Sequence, residues 1–145
     1  MSQRFYTEVL DFAVVMDAGY GRVLMHPGTG FTLALVRPEN ASGGRFSERV
    51  TGLDHLSLTA GSRDELEEWE RRFDHLGVPY TPIRDLELGH HLNFRDPDGI
   101  ALEFYVPNDL ALNAREALAS GQLTRGDIDA FVAMNISPDY VSRRS

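Results

Sequence analysis

The chain has 145 residues, 42% hydrophobic and 25% charged, which suits one compact domain with a small appendage and excludes disorder as the default reading. Fourteen basic against 22 acidic side chains give a formal charge of −8, a balance that repels a phosphate backbone and argues against a nucleic-acid partner. There is no cysteine, which excludes disulfides, thiolate catalysis and cysteine-based zinc sites and leaves histidine and carboxylates as the strong metal ligands.

In chain order, Ser2 to Leu10 reads as a short helix, with Phe5, Val9 and Leu10 near one face. Three strand-like runs follow: Phe12 to Asp17, Arg22 to His26 and Phe31 to Arg37, separated by glycine- and proline-rich turns. Residues 38–51 carry Pro38, Asn40 and the pair Gly43-Gly44 without apolar periodicity and read as a linker. Asn40-Ala41-Ser42 matches a glycosylation sequon, but no secretory signal accompanies it, and it reads as a chance match. Leu53 to Thr59 then alternates as a half-buried strand does. Ser62, with Glu65 three positions on, has the form of a capping box. The helix behind it carries Leu66, Trp69, Phe73 and Leu76 at spacings of three and four and ends at Gly77. Strands are expected at Val78 to Arg84, His90 to Arg95 and Ile100 to Val106, the last two joined by the turn-forming Asp96-Pro97-Asp98-Gly99. From Asn108 onward the pattern predicts one or two helices and a frayed basic tip, Arg143-Arg144-Ser145. No apolar run approaches the roughly 20 residues of a membrane span, and the expectation is a cytoplasmic protein with no membrane partner.

The two blocks repeat each other. Leu10-Asp11-Phe12 lies over Leu76-Gly77-Val78 with an offset of 66 (76 − 10), and Ala34 lies over Glu103 with an offset of 69 (103 − 34). The second block opens with a strand at Leu53 whose counterpart would fall at negative residue numbers. The order is therefore αβββ over residues 1–37, a linker over 38–51, βαβββ over 52–107 and a helical extension over 108–145. This is an α+β fold of paired βαβββ modules, the first without its opening strand.

Alternate strand residues point to opposite faces. Leu56, Leu58, Leu92, Phe94, Ile100, Leu102, Phe104 and Val106 form an apolar set for the helix. His55, Ser57, Thr59, His91, Asn93, Arg95, Glu103 and Tyr105 share the other face. A polar sheet face is commonly just solvated, but histidines, a carboxylate, an amide, an arginine and a tyrosine together make a good lining for a site. Glu103 stands mid-strand among apolar neighbours, where a carboxylate is costly unless paired or coordinated. His90 and His91 point opposite ways, and parity puts His91 in the cavity as an acid, a base or a substrate contact. Arg95 either holds a substrate carboxylate or pairs with Asp96 or Asp98. Tyr105 either donates to a ligand or packs as an aromatic. His26 reads as exposed at a strand end, and His75 sits where a helix dipole favours it.

Gly52-Leu53-Asp54-His55-Leu56-Ser57-Leu58 and Leu92-Asn93-Phe94-Arg95-Asp96-Pro97-Asp98-Gly99-Ile100-Ala101-Leu102-Glu103-Phe104 resemble the vicinal oxygen chelate superfamily of glyoxalases, bleomycin-resistance proteins and extradiol dioxygenases. Arg4-Phe5-Tyr6 with Val9-Leu10 resembles its first helix, and the likeness covers residues 4–107. The resemblance implies a divalent metal, Zn, Fe, Mn or Ni, with His55 and Glu103 at the second module's ligand positions. On the polar face, catalytic roles are expected for Glu103 and His91, and substrate contacts from Ser57, Asn93, Arg95 and Tyr105. The first module departs from the pattern, since its opening strand is missing and Ala34 stands opposite Glu103. The activity implied is that of a metal-dependent lyase, isomerase or dioxygenase chelating an oxygen-rich small molecule. The alternatives are a metal-free antibiotic-sequestering protein and a non-catalytic scaffold subunit. An open sheet edge in the first module leads to the expectation of a homodimer whose cavity draws on both chains.

Overall fold

A computed structural model describes residues 1–37, 39–40, 44–47, 49, 52–121 and 123–139. Half of residues 38–51, read above as a linker, with Ala41 and Ser42 of the sequon among them, and the basic tip Arg143-Arg144-Ser145 lie outside the described residues. The chain forms two units, Met1–His55 with Arg95–Ala101, and Leu56–Phe94 with Leu102–Ser145.

The first unit begins with α1 (Ser2–Glu8), followed by β1 (Ala13–Asp17), β2 (Gly21–Met25) and β3 (Thr32–Val36). The helix stops two residues short of the sequence expectation. Val9 and Leu10 are buried beyond its end, and Asp11 turns the chain with a φ of 57°. Tyr6 and Phe12 meet edge to face at 5.8 Å, and Phe12 meets Phe31 at 6.3 Å, so the aromatics on either side of that turn build one core. The strands form an antiparallel meander in the order β1-β2-β3. A register shift interrupts the first pairing between Val14 and Met16. The turn 95–101 belongs to this unit, and its Asp96 is buried. Asp96 accepts hydrogen bonds from the Tyr6 hydroxyl at 3.0 Å and from the backbone of Asp98 and Ile100 at 2.9 Å each. Burial, and the Asp96 carboxylate beside it, push the Tyr6 hydroxyl pKa well up.

The second unit holds β4 (Leu56–Thr59), α2 (Arg63–Leu76), β5 (Tyr80–Leu86), β6 (Gly89–Arg95), β7 (Ala101–Pro107), α3 (Asp109–Ala119) and α4 (Arg125–Asn135). Its sheet runs β4-β7-β6-β5, with β4 parallel to β7 and Ser57 opposite Glu103. The strand expected from Leu53 begins only at Leu56. Asp54, a poor strand former, instead turns its carboxylate onto His55 at 2.6 Å. Ser62 caps α2 by accepting the Glu65 backbone N–H at 3.1 Å. The Glu65 carboxylate reaches Gly61 N–H at 2.7 Å rather than the Ser62 backbone, so the box closes one residue early. Gly77, at a φ of 66°, ends the helix in the left-handed turn that glycine favours. Leu66 and Phe73 are fully buried, and the Phe73 ring lies 4.8 Å from Phe94 and 6.3 Å from Phe104. Trp69 lies 4.6 Å from Phe104, so the apolar set read from alternation is the face that meets the helix.

Gly89 closes the β5–β6 turn at a φ of 148°, where a Cβ would stand 2.1 Å from the Val106 carbonyl oxygen; no side chain fits there. The extension is two helices, capped by Asn108 and by a Thr124–Asp127 capping box. Neither buries a residue completely. Leu110, Ile128 and Phe131 are half-buried, while Leu118, Val132 and Met134 are exposed. No helix among the described residues is long and apolar enough to cross a membrane.

Candidate functional site

The β7 strand turns Leu102, Phe104 and Val106 toward α2 and therefore Glu103 and Tyr105 to the opposite face. Glu103 is 1% exposed and His91, on the adjacent strand, 2%. The imidazole Nδ1 lies 2.8 Å from Glu103 Oε1. The Ser57 hydroxyl donates to Oε2 at 2.5 Å. Glu103 is thus held through both oxygens by donors from the strands on either side of its own. Tyr105 stacks on His91 with ring centroids 4.9 Å apart.

Each of these bonds compensates for the loss of water around an ionisable group. A carboxylate this deep is costly unless donors replace its hydration, and the serine hydroxyl and imidazole N–H do so. With Nδ1 donating to Glu103, a neutral His91 ring keeps its acceptor character at Nε2. That tautomer suits proton abstraction. Networks of this kind also fix a single side-chain arrangement, because removing one member strands the others.

The remaining sequence candidates are distributed as follows. Asn93 is half-buried two residues along β6 from His91. The Tyr105 hydroxyl donates to the Leu88 carbonyl at 2.8 Å, and Asn108 bonds Glu87 and Leu88 in the same turn, so Tyr105 helps hold the β5–β6 connection. Arg95 donates to the Gly99 carbonyl at 2.7 Å, within its own turn. His55 precedes β4 and belongs to the first unit, with Asp54 on its Nδ1. Ser57, Glu103, His91 and Tyr105 come together within the second unit.

Among the other histidines, His26 is half-buried rather than exposed, bonded to Thr29 at 3.0 Å and meeting the Phe12 ring at 5.4 Å. His75 is exposed in the last turn of α2. His90 points away from His91, as parity requires, and its Nδ1 lies 2.6 Å from Asp85, which also meets Arg63 at 3.5 Å. The His90 hydrogen bond and the Arg63 charge hold the Asp85 pKa below its ordinary value, against the opposing effect of partial desolvation.

Sequence reasoning missed Asp96 as a buried acceptor. Its signal was present in Asp96-Pro97-Asp98-Gly99, because an aspartate opening such a turn commonly bonds the backbone two residues on. The Asp85–His90 pair was also missed. It depends on cross-strand register across a turn whose length the sequence did not define.

A divalent metal in an open site needs about three protein ligands. Among the described residues no group of three His, Asp or Glu side chains comes together to hold one. Both oxygens of Glu103 are already engaged, and Ala34 offers no donor. The donor set therefore falls short of a metal centre. One part does match metal chemistry: a carboxylate on His55 Nδ1 is the usual outer support that orients a ligating imidazole.

A family model described as the Glyoxalase/Bleomycin resistance protein/Dioxygenase superfamily matches residues 1–104. The chain is similar to the crystal structure of a glyoxylase/bleomycin resistance protein/dioxygenase domain from Frankia sp. EAN1pec. Identity there is 33% over 74% of this chain and 82% of that one, with a TM-score of 0.67. It shares its fold with a lactoylglutathione lyase from Agrobacterium tumefaciens, at 21% identity over 72% and 82% of the two chains and a TM-score of 0.57. It shares it also with a genomically encoded fosfomycin resistance protein from Listeria monocytogenes, at 17% identity over 78% and 85% and a TM-score of 0.58. No curated protein matches the chain.

Proposed function

Because the chain belongs to the Glyoxalase/Bleomycin resistance protein/Dioxygenase superfamily, we propose that it is a lyase or isomerase acting on an oxygen-rich small molecule. His91 moves the proton, and Glu103 and Ser57 hold it in position. The buried Glu103–His91 pair, with the exposed Ser57 hydroxyl bonded to its carboxylate, carries this reading. A carboxylate that fixes an imidazole tautomer is the arrangement by which a proton is removed next to a carbonyl. Asn93 supplies a polar contact to the substrate from the same face of β6.

The second reading is a metal-dependent enzyme, dioxygenases included, and His55 with its Asp54 support favours it. In that reading His55 and Glu103 would ligate Zn, Fe, Mn or Ni, and the metal would polarise two neighbouring substrate oxygens. Too few ligands are described for any step to be derived through it. Elemental analysis of the purified protein before and after His55→Ala separates the two. Less than about 0.1 metal per chain in both is expected if His91 acts without a metal. Stoichiometric metal that His55→Ala removes would replace the first reading with the second.

We also read the protein as cytoplasmic and as a homodimer, in which the exposed Leu118, Val132 and Met134 of the extension gain cover. Sedimentation at micromolar concentration is expected to give twice the chain mass, and a monomer would end that reading.

A further inference from the structure

The pairing of β5 with β6 changes along its length. Thr81 stands opposite Asn93 and Arg84 opposite His91, so that two residues, Pro82 and Ile83, face one, Leu92. This is a β-bulge, which adds one residue and reverses which side chains point to which face beyond it. The contacts of β5 with α2 agree. Tyr80 meets Phe73 and Asp85 meets Arg63, so both face the helix although they are five positions apart. Strict alternation would put them on opposite faces. The backbone of the bulge is provided for: Pro82 has no N–H to leave unpaired, and the Ile83 N–H donates to Glu70 of α2 at 2.9 Å.

The consequence is the placement of Arg84. Without the extra residue Ile83 would stand opposite His91; with it Arg84 does, on the face that carries Glu103 and Tyr105. Bulges beside active sites re-aim a side chain in this way. Side chains directly opposite on antiparallel strands have Cβ atoms about 4.5–5.5 Å apart, so the guanidinium is within reach of a small molecule that touches the His91 ring. Arg84 is half-buried, and its Nε is shielded from water. A guanidinium is always charged, and its attraction for an anion strengthens where water is excluded. Its five N–H donors can take a ligand's oxygens alongside contacts within the protein. Arg95, the arginine that residue type alone singled out, is bonded within its own turn.

We propose that the site takes a 2-oxo acid, whose carboxylate Arg84 holds beside His91. This deepens the proposed function and rests on its reading of His91 as the group that moves the proton. One guanidinium matches the two coplanar oxygens of a carboxylate, whereas a dianionic phosphate is usually met by several cations or a helix N-terminus. With the carboxylate on Arg84, the neighbouring carbonyl and the carbon beyond it lie at the imidazole. The C–H proton passes to His91 Nε2, and its electron pair moves onto the carbonyl oxygen as an enolate. Return of the proton to the oxygen gives the enol isomer, and return to the carbon gives back the ketone. Either step regenerates the neutral imidazole, and nothing is oxidised or reduced.

Pyruvate, its uncharged analogue pyruvamide and inorganic phosphate are the probes, titrated into the full chain in deuterated buffer and followed by NMR. Pyruvate is expected to bind at least about tenfold more tightly than pyruvamide, as a charge-assisted hydrogen bond requires. Arg84→Met abolishes that preference, and Arg84→Lys, which keeps the charge without the planar fork, retains part of it. His91→Gln keeps the preference but loses the exchange of pyruvate methyl protons for deuterium that the parent catalyses. Equal affinity of the parent for pyruvate and pyruvamide, or no binding of either, would overturn the proposal without recourse to a variant. So would a preference that survives Arg84→Met, or phosphate binding more tightly than pyruvate. If the preference depends on Arg84 but the parent exchanges no methyl protons, carboxylate recognition at Arg84 stands and the proton-moving role of His91 falls, so the two failures are told apart.

Discussion

Replacing Glu103 with alanine is expected to lower the unfolding free energy by about 3–5 kcal/mol, because it takes the carboxylate from the buried His91 ring and from the Ser57 hydroxyl together. The His91 N–H and the Ser57 hydroxyl both depend on this carboxylate, at 2.8 and 2.5 Å. At roughly 3 °C per kcal/mol for a chain of this length, the midpoint of thermal unfolding falls by about 10–15 °C. Ser57→Ala removes one outer hydroxyl and leaves the imidazole bond, so it should cost only about 1 kcal/mol. Glu103→Gln falls between them, since an amide presents one acceptor where the carboxylate presents two. Urea unfolding of the three variants tests the order. A Glu103→Ala loss below about 1 kcal/mol would mean that Glu103 and His91 are not buried and paired as described.

Phe73→Ala is expected to cost a similar 3–5 kcal/mol, by a different route. The ring is 0% exposed and meets Phe94, Phe104, Tyr80 and Trp69, so removing it leaves a cavity between α2 and its sheet. The chain has a single tryptophan, and it stands in that contact. Its fluorescence should therefore shift to the red in the folded variant as the helix loosens over Phe104. Phe73→Leu keeps most of the volume and should recover more than half of the loss. If Phe73→Ala unfolds at the same urea concentration as the parent, with an unshifted Trp69 emission, α2 is not anchored through this ring.

The legible parts of the fold were those that periodicity controls. Leucine and phenylalanine at alternate positions of β6 and β7, and at spacings of three and four in α2, identified both the strands and the face that meets the helix. The same parity put His91 and Glu103 on one side. It did not show that they bond to each other, since a contact between strands depends on register, and the register of β6 against β7 is set by how the Asp96–Gly99 turn closes rather than by alternation. Tyr105 and Arg95 illustrate the other limit. Their residue types suit a ligand, but each has a backbone carbonyl within reach, Leu88 and Gly99, and a local hydrogen bond needs no ligand to form. Strand and helix ends were off by two or three residues where a polar side chain, as at Asp54, prefers a local bond to the ladder.

The first unit is assembled from chain segments that are far apart. Tyr6 finds its acceptor 90 residues later, at Asp96, and the turn 95–101 is reached only after the chain has run through β4, α2, β5 and β6. During synthesis α1 and the meander emerge from the ribosome long before that turn, and must wait with the Tyr6 side of their core uncovered. Closing so long a loop is slow because its entropy is lost before the contact is gained. The core of the first unit is therefore completed only after β4, α2, β5 and β6 have been made, when Asp96 reaches the segment that was made first.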